Sequence, residues 1–386
     1  MINKIITSFL FVLTSINVFG QETTRKTEEK EINSVVFDTI RKVSIYLPYQ
    51  YFDEPTKKFP VVYLFDSQSE EMFDLGSSIT GYLSSTELIK PMIVIGIKSD
   101  DRWNEFLPKN RYDKTQERYK PPMGNADKLI KHLKDEVFPF VNKNYRVLST
   151  RIGIGHSLAG TFLTYNYFEY PEMFDAVINI SPNLDYDKEQ LINRLKEFKN
   201  LEKKINSYYY LAYGKIGNPE TRFYPATEKA IKLFSSKGIF IDYDKMENEN
   251  HSSILPFAIE KGLLKYNQFI FLDSKNTIDY YENLEEKGEV VLKVNDINML
   301  AYRNFWKSKI DNAIEIIEWG INKFPNEDNL YDSMGEFQEK KGNINEANSF
   351  YEKAIKLIKE KKDNYKISEY EKKLSTYKKN YKRTNK

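Results

Sequence analysis

Short apolar runs that alternate with helical patterns constrain the fold of this 386-residue chain more than any other feature. The segments Phe59–Asp66 and Pro91–Ile97 are nearly continuous apolar runs, as in strands whose two faces are both buried. Between them, Ser78–Ile89 has the pattern of a crossover helix. Strands that alternate with helices in this way predict an α/β fold with a parallel sheet.

The same alternation extends from about residue 33 to residue 272. A strand is predicted at Ser34–Leu47, and residues 125–145 carry apolar side chains at helical spacing. Further predicted elements are strands at Arg151–Ile154, Ala176–Ile180, Tyr208–Tyr213 and Ile239–Tyr243, and helices at Leu158–Tyr170 and Thr227–Leu233. All of them fit one α/β sheet domain over residues 33–272.

The chain changes character after Ser274, where strand-like runs nearly vanish and a helical pattern begins. Several positions recur 34 residues later, which is the period of tetratricopeptide repeats. The recurring pairs are Leu300-Ala301 with Met334-Gly335, Ala313 with Ala347, Ile317 with Tyr351 and Gly320 with Ala354. We therefore predict a small all-α domain over residues 273–386 with tetratricopeptide-like repeats at about 296–361, in preference to two unrelated amphipathic hairpins.

Two repeats bury too little apolar surface to be stable alone. They are expected to dock on the α/β domain or to stack with helices at Thr277–Glu285 and Tyr365–Tyr381. Such repeats also offer a surface for a protein partner. The basic run Lys372–Lys386 is expected to be a solvated helix end, with partner binding as the alternative.

The amino terminus has the pattern of a targeting segment. Residues 1–20 place one Lys before a short apolar run and end at Gly20, a small residue suited to cleavage. Residues 21–32 form a polar linker, so a cleaved signal peptide is favoured over a retained helix. The run is shorter than the ~20 apolar residues of a membrane span, and no later segment is a better candidate. We expect a periplasmic or secreted protein.

Composition excludes several function classes. The 58 basic and 56 acidic residues leave a formal charge of +2, which provides no broad field to attract nucleic acid or an anionic membrane. Three scattered histidines and no cysteine cannot supply a typical zinc cage, so neither a metal nor an organic cofactor is expected. Without cysteine there are also no disulfides, and packing alone must hold the exported chain together.

The segment Arg151–Thr161, RIGIGHSLAGT, is typical of a nucleophile elbow. A strand, a tight turn that holds Ser157 at strained backbone angles, and a helix follow one another in the required order. Ala159 stands where a second glycine is usual, and its methyl group is a tolerable addition. Because such a motif is common by chance, the alternative is that Ser157 only caps the helix.

The chain has three histidines, and their positions favour one of them as a general base. His251 follows the last predicted strand in the loop Met246–Ser253, where an α/β-hydrolase presents its base. His156 is expected to point away from the Ser157 hydroxyl, whereas His132 is expected to face water. A neutral imidazole at position 251 can take the serine proton and return it to the leaving alcohol.

The acid of the triad is less constrained. Glu220 lies after the strand Tyr208–Tyr213, at the topological place of a triad acid, and is our choice. Glu247 and Glu249, on the same loop as His251, are the alternatives. A further alternative is a serine and histidine pair without an acid, with Glu220 as a solvated carboxylate.

Two backbone amides are predicted to stabilise the oxyanion that forms in acyl transfer. The Leu158 N–H, at the start of the helix, is one donor. The second comes from the turn Asp66-Ser67-Gln68 after the early buried strand, with Gln68 as the first choice and Ser67 as the next. Each such preorganised donor contributes about 3 to 4 kcal/mol in the transition state.

These motifs, in fixed order over about residues 35–272, resemble the putative esterase family of α/β-hydrolases. That family contains enterobactin esterases, feruloyl and acetyl-xylan esterases, S-formylglutathione hydrolase and the mycolyltransferases. The local marks are Phe59–Asp66, Ile95–Ile97 with Asp101-Arg102 and Leu107-Pro108, Gly155–Gly160, Phe174–Ile180 with Ser181-Pro182-Asn183, and His251–Ser253. The resemblance implies an α/β-hydrolase fold and a serine esterase.

Within the family, the segment Asp101–Pro108 looks most like the siderophore-esterase branch. That resemblance implies that Arg102 binds substrate, and Trp103 is a candidate to stack on an aromatic acyl group. The alternatives are an ion pair of Arg102 that ties its loop to the domain, and a Trp103 that plugs the domain. The chain departs from the family at Ala159 and at Ser67, where many relatives have glycine.

The predicted function is an exported serine carboxylic-ester hydrolase that acts through an acyl-enzyme on a small ester, of siderophore type or another. One rival is acyl transfer to an alcohol other than water by the same triad. The other is a non-catalytic scaffold protein that binds a partner through the helical repeats. The loop Asn110–Met123 has no readable pattern, so the sequence leaves the substrate open.

Overall fold

A computed structural model describes residues 26–119, 123–197, 207–363, 365–372 and 374–375. Its centre is an eight-stranded sheet in the order β1-β2-β4-β3-β5-β6-β7-β8. The strands are β1 Lys26–Ser34, β2 Thr39–Leu47, β3 Phe59–Phe65, β4 Ile93–Ile97, β5 Val147–His156, β6 Ala176–Ile180, β7 Tyr208–Ile216 and β8 Asp242–Asn250. β1 and β2 are antiparallel to their neighbours, and the remaining strands are parallel to one another. This arrangement confirms the predicted α/β domain.

Helices cover both faces of the sheet. They are α1 Gln50–Asp53, α2 Glu70–Ser85, α3 Arg102–Glu105, α4 Asp113–Tyr119, α5 Ala126–His132, α6 Phe138–Asn144, α7 Leu158–Glu169, α8 Tyr186–Glu197, α9 Glu220–Ser236 and α10 Leu255–Ile270, with a π-helical turn Leu133–Val137 between α5 and α6. Helices α5 to α9 pack on one face of the sheet in a first buried cluster. Helices α2 and α10 pack on the other face in a second cluster.

The central strands match the prediction. All seven residues of β3 are buried, and β4 and β6 are buried along their full length. Burial of both faces is the reason that these strands have continuous apolar runs. The crossover helix α2 begins at Glu70 and not at Ser78, because the Ser69 hydroxyl caps it by accepting a 3.2 Å hydrogen bond from the Met72 N–H.

The edge strand β8 differs from the prediction. A strand is predicted at Ile239–Tyr243, but β8 spans Asp242–Asn250 and includes most of the segment predicted as a loop. β8 pairs only with β7, and most of its side chains are exposed or half-buried. An edge strand of this kind forms backbone hydrogen bonds without an apolar run. His251 therefore lies in the turn directly after a strand.

The segment predicted as a linker over residues 21–32 forms a strand of the sheet from residue 26 onward, so this strand begins before the predicted domain start at residue 33. β1 pairs with β2 along its whole length, from Lys26 opposite Leu47 to Ser34 opposite Thr39. A turn that contains Asp38 at φ 54° separates the two strands, whereas the sequence predicts a single strand over Ser34–Leu47. The mostly charged β1 has no strand signal because it is an edge strand. The predicted signal peptide lies outside the described residues.

His132 is buried, which contradicts the expectation that it faces water. Its Nδ1 lies 3.2 Å from the Ser34 hydroxyl and 2.5 Å from Oε2 of Glu136, and the Phe37 ring contacts it edge-on. Burial lowers the pKa of His132, and the Glu136 carboxylate opposes this shift. The expectation failed because the turn between β1 and β2, which the sequence does not predict, covers this face of α5.

The described chain after residue 272 is helical. Its helices are α11 Ser274–Glu286, α12 Val294–Trp306, α13 Ile310–Lys323, α14 Asp328–Lys341 and α15 Ile344–Lys361. Helix α14 begins 34 residues after α12, and α15 begins 34 residues after α13, as the sequence period predicts. Helix α11 confirms the helix predicted at Thr277–Glu285. Membership of these hairpins in the tetratricopeptide class stays a prediction.

Small residues allow these helices to approach closely. A Cβ at Gly335 would lie 2.6 Å from ring atoms of Tyr351, and a Cβ at Gly320 would lie 2.8 Å from Ile297. After α15, residues 365–372 and 374–375 are also helical, and Tyr370 packs with Ala354 and Ile358 of α15. The remainder of the predicted helix to residue 381 lies outside the described residues.

The helical region contacts the α/β domain directly. The Lys90 ammonium donates a 2.9 Å hydrogen bond to the Tyr281 hydroxyl and lies 4.3 Å from the centre of the Tyr280 ring. The Ser149 N–H donates to a carboxylate oxygen of Glu289 at 2.8 Å. Helix α11 and the segment after it, which precede the predicted repeats, thus dock on the α/β domain. The repeats stack on α11, since Nε1 of Trp319 in α13 donates a 2.9 Å hydrogen bond to Glu282 of α11. Among the described residues, no helix has the length and apolarity that a bilayer span requires.

We predict that Gly335→Ala destabilises the helical region, although alanine is the better helix former by about 1 kcal/mol. The added methyl group collides with the buried Tyr351 ring, so the free energy of unfolding should fall by about 1–2 kcal/mol. Urea unfolding followed by tryptophan fluorescence, to which Trp306 and Trp319 of the helical region contribute, measures this. Lys340→Ala, at an exposed position of the same helix, should change the value by less than about 0.5 kcal/mol. A more stable Gly335→Ala chain contradicts the close approach.

Candidate active site

Ser157 lies in the tight turn between β5 and α7, with φ 57° and ψ −117°. This conformation is costly for a residue with a side chain, and it persists only where the surrounding structure enforces it. Two hydrogen bonds do so: the Ser157 N–H donates to the Ile180 carbonyl, and the Ser157 carbonyl accepts from the Thr161 N–H, each at 3.0 Å. The Ser157 side chain makes no capping hydrogen bond to α7. The turn has the geometry of an elbow and not that of a helix cap.

The residues around Ser157 are small because the turn brings backbone segments together. A Cβ at Gly155 would lie 2.7 Å from the carbonyl carbon and oxygen of Ala159, and one at Gly160 would lie 3.1 Å from Pro182. Ala159 itself is fully buried and its methyl group joins the first hydrophobic cluster. The departure from the usual glycine is therefore accommodated on the core side of the helix.

His251 and Glu220 are hydrogen-bonded although 31 positions separate them in the sequence. Nδ1 of His251, in the turn after β8, lies 2.5 Å from Oε1 of Glu220. Glu220 is the first residue of α9 and is completely buried, so it is not a solvated loop carboxylate. Its Oε2 has no partner among the residues that the structure describes. A buried carboxylate requires a hydrogen-bond partner, and the imidazole provides one at Oε1.

The alternative acids do not occupy this position. The Glu247 side chain is 63% exposed and forms an ion pair with Lys245 at 2.6 Å. The hydrogen bond from Lys245 and then the positive charge of that ammonium lower the pKa of the Glu247 carboxyl. Glu249 is half-buried on β8, and its backbone carbonyl faces Gly214. Of the three candidates, only Glu220 has a hydrogen bond to His251 within the described part of the chain.

Two aromatic rings hold the His251 imidazole in place. The His156 ring lies with its centre 4.3 Å from that of His251 at an interplanar angle of 43°. The Phe223 ring contacts the imidazole edge-on at 5.6 Å. Because His156 is bonded to Ser157 in the chain, its contact with His251 brings the imidazole beside the elbow. His156 thus has a partner that the sequence did not indicate.

His156 is neutral at physiological pH. Burial, the positive charge of His251 in its protonated form and the Arg102 guanidinium lower the pKa of His156 to about 3, while the His251 backbone carbonyl opposes the shift. The Nε2 atom of His156 is buried and has no partner in the described chain. A neutral ring can lie against His251 without charge repulsion when the latter is protonated.

The two candidate amides in the turn after β3 differ in their hydrogen bonds to the described residues. The Ser67 N–H donates to the Ile97 carbonyl at 3.1 Å, so Ser67 is not the second oxyanion donor. The Gln68 N–H has no acceptor within the described residues. The Leu158 N–H is at the first position of α7, where an amide has no intrahelical acceptor. The amides of Gln68 and Leu158 therefore remain the candidate pair.

Arg102 and Trp103, the predicted substrate ligands, both have partners in the protein. Nε and Nη2 of Arg102 donate to the two carboxylate oxygens of Asp66 at 2.6 and 2.8 Å. This is the ion pair that the sequence left as an alternative. Trp103 is half-buried and packs against the first hydrophobic cluster. Substrate contact by either residue stays a prediction.

Two contributors were missed from the sequence. Asp66 directly follows the central strand β3, and this position at the carboxyl end of a parallel strand was the available signal. Phe223 lies one helical turn after Glu220, but nothing in the sequence shows that it faces His251. No group of three or more His, Cys, Asp or Glu side chains suited to a metal ion occurs in the described residues.

Comparison with known proteins is consistent with this geometry. The sequence profile of the family described as "Putative esterase" matches residues 34–231. The chain is 24% identical over 230 residues to the ferri-bacillibactin esterase BesA of Bacillus subtilis (strain 168), which covers 54% of this chain and 79% of that protein.

Solved structures share the fold. An IroE-like serine hydrolase from Shewanella oneidensis superposes with a TM-score of 0.59 at 19% identity, over 78% of this chain and 100% of that one. An uncharacterised protein from Capnocytophaga ochracea DSM 7271 superposes with a TM-score of 0.56 at 15% identity, over 90% and 99% of the two chains. The latter coverage means that the similarity includes helices that follow the α/β domain.

We predict that His156 stays neutral when the protein is acidified from pH 8 to pH 5. The unfolded chain binds a proton at this residue near pH 6.5, which the native chain excludes until about pH 3. The native state therefore loses stability as the pH falls through this window, and His156→Gln should lose less. Imidazole NMR resonances, assigned with His156→Gln, measure the titration directly. A ring that titrates near pH 6.5 contradicts the burial described here.

Proposed function

The chain belongs to the putative esterase family and is a carboxylic-ester hydrolase; we propose that Ser157, His251 and Glu220 form its catalytic triad. The observation that carries this proposal is the 2.5 Å hydrogen bond between Nδ1 of His251 and the buried Glu220 carboxylate, beside the strained Ser157 turn. The order Ser, acid, His along the chain is that of an α/β-hydrolase.

In the proposed mechanism, the Ser157 hydroxyl attacks the ester carbonyl while Nε2 of His251 takes its proton. Glu220 accepts a hydrogen bond from Nδ1, which fixes the tautomer and stabilises the imidazolium that forms. His251 then returns the proton to the leaving alcohol, and an acyl group remains on Ser157. A water molecule, deprotonated by the same imidazole, releases the acid.

The negative charge that develops on the carbonyl oxygen is stabilised by the Leu158 and Gln68 amides in this proposal. Leu158 N–H also lies at the positive end of the α7 dipole, which favours an anion. Both donors are backbone groups of rigid turns. They are therefore in place before the reaction and need no reorganisation in the transition state.

The scaffold alternative is disfavoured by the cost of these features. A strained serine and a buried carboxylate each reduce stability, and a protein without catalytic function has no reason to keep them together. The substrate we propose is a small ester, of the siderophore type that the name of the Bacillus subtilis relative states. Acyl transfer to another alcohol uses the same residues and is separated from hydrolysis by product analysis.

We also propose that the protein is exported, since residues 1–20 have the pattern of a cleaved signal peptide. Mass spectrometry of the mature protein from its own cell envelope or medium tests this. A chain that begins at Gln21 supports export, and a full-length chain in the cytoplasm contradicts it. The helical hairpins remain the proposed surface for a protein partner.

We predict that the purified protein hydrolyses p-nitrophenyl butyrate and that Ser157→Ala lowers kcat by at least about 10⁴-fold. A panel of ferric enterobactin, feruloyl sugar and acetylated xylan then identifies the acyl group. The variant should unfold at the temperature of the wild type or above, because the strained position loses only a hydroxyl. Equal rates for the two proteins contradict the assignment of the nucleophile.

Glu220→Gln should lower kcat by about 10³- to 10⁴-fold with little change in KM, because the amide cannot hold the imidazolium in the same tautomer. Glu247→Gln is the matched control, since it removes an exposed carboxylate from the strand before His251. It should leave kcat within about twofold of the wild-type value. The reverse order of effects assigns the acid to Glu247.

A further inference from the structure

The turn after β3 is held in an unusual conformation by a charged side chain from another loop. Asp66 has φ 66°, a region in which residues with side chains are strained. Its carboxylate is bound in bidentate fashion by Arg102, with N–O distances of 2.6 and 2.8 Å. The Asp66 side chain is only 11% exposed and that of Arg102 is 39% exposed, so water screens this pair incompletely.

The same carboxylate also fixes Gln68. Nε2 of Gln68 donates to Oδ1 of Asp66 at 2.9 Å, and Oε1 of Gln68 accepts from the Ser99 N–H at 3.0 Å. The Gln68 side chain therefore spans from the turn to the loop after β4. Because both Nε2 and Oε1 of the Gln68 side chain are bound, the direction of the Gln68 backbone amide is fixed.

Ser67 completes the attachment of the turn. Its N–H donates to the Ile97 carbonyl at 3.1 Å, and its hydroxyl donates to the Leu64 carbonyl at 2.7 Å. A Cβ at Gly96 would lie 2.7 Å from Cβ of Ser67, so the turn packs closely against β4. The Ser67 N–H is thereby occupied, whereas the Gln68 N–H has no acceptor within the described residues.

Arg102 is itself anchored through a rigid loop. It begins α3, which Asp101 caps by accepting a hydrogen bond from the Asn104 N–H. Glu105, at the end of α3, is buried and accepts two hydrogen bonds from Arg41 of β2 at 2.9 and 2.8 Å. The buried ion pair of Arg41 and Glu105 thus holds α3 in place, and the Arg102 guanidinium of α3 in turn fixes the turn that contains Asp66.

We propose that Arg102 and Asp66 are positioning residues that orient the Gln68 amide toward the oxyanion, an inference that rests on the proposed function of this site. The ion pair stabilises the transition state indirectly, because it fixes the turn that carries the Gln68 N–H. Substrate affinity does not depend on this ion pair. A substrate ligand and a positioning residue differ in which kinetic constant they change. Loss of a ligand raises KM, whereas loss of an oxyanion donor lowers kcat.

The test is a double-mutant cycle with Arg102→Gln, Asp66→Asn and the combined variant, assayed with p-nitrophenyl butyrate. Each single variant should lower kcat by about 10- to 100-fold and leave KM within about threefold, since a displaced donor costs up to about 10²–10³. The combined variant should be no worse than either single variant, because both remove the same constraint. Arg102→Lys, which keeps the charge but not the bidentate geometry, should be intermediate.

Arg194→Gln is the matched control. Arg194 forms a half-buried ion pair with Glu169 at 2.5 Å at the far end of α7, and its loss should leave kcat unchanged. A trifluoromethyl ketone that adds to Ser157 provides a second readout. Its affinity should fall in Arg102→Gln by the same factor as kcat/KM, because the adduct carries the oxyanion.

A tenfold or larger rise in KM for Arg102→Gln, with kcat unchanged and Asp66→Asn active, overturns the proposal and makes Arg102 a substrate ligand. Additive losses in kcat for the two single variants also overturn it. If the wild-type protein hydrolyses none of the esters, the proposed function itself fails. If the wild type is active and the variants give one of the contrary results above, only the positioning role fails. Unchanged thermal unfolding temperatures of the variants show that any loss is not a folding defect.

Discussion

The hydrogen bond between Glu220 and His251 is the interaction on which the site depends. A fully buried carboxylate is tolerated only with a partner, and the imidazole is the partner that the described structure provides. The bond joins the turn after β8 to the first residue of α9, so it fixes where the imidazole can lie. His156 and Phe223 then restrict the ring from two further sides. One polar contact and two rings thus place a histidine beside a strained Ser157.

The parts of the fold that the sequence predicts are those in which burial leaves a mark on composition. β3, β4 and β6 are buried on both faces and appear as apolar runs. The elbow is equally readable, because close backbone contact at Gly155 and Gly160 demands small residues. The 34-residue period has the same origin, since Gly335 lies where two helices touch.

The parts that the sequence does not predict lie at the edges of the sheet. β1 and β8 are rich in charged residues, and most of their side chains are exposed or half-buried, so backbone pairing without an apolar pattern makes them strands. Because β1 is predicted as a linker, the turn between β1 and β2 is not predicted either. This turn covers His132, which is therefore wrongly expected to face water. The contacts of Asp66 with Arg102 join loops 36 positions apart, and no local pattern reveals such a pairing. Long-range polar contacts of this kind become visible only in the folded structure.

The central claim is that Ser157 is a nucleophile activated by the histidine that Glu220 orients. The most direct measurement is the site and rate of covalent labelling of the full chain by a fluorophosphonate, determined by peptide mass spectrometry after digestion. The account predicts one label per chain on Ser157 in the wild type and a rate that falls in proportion to kcat in Glu220→Gln. A label on another residue, or none at Ser157 under conditions in which the protein hydrolyses esters, contradicts it.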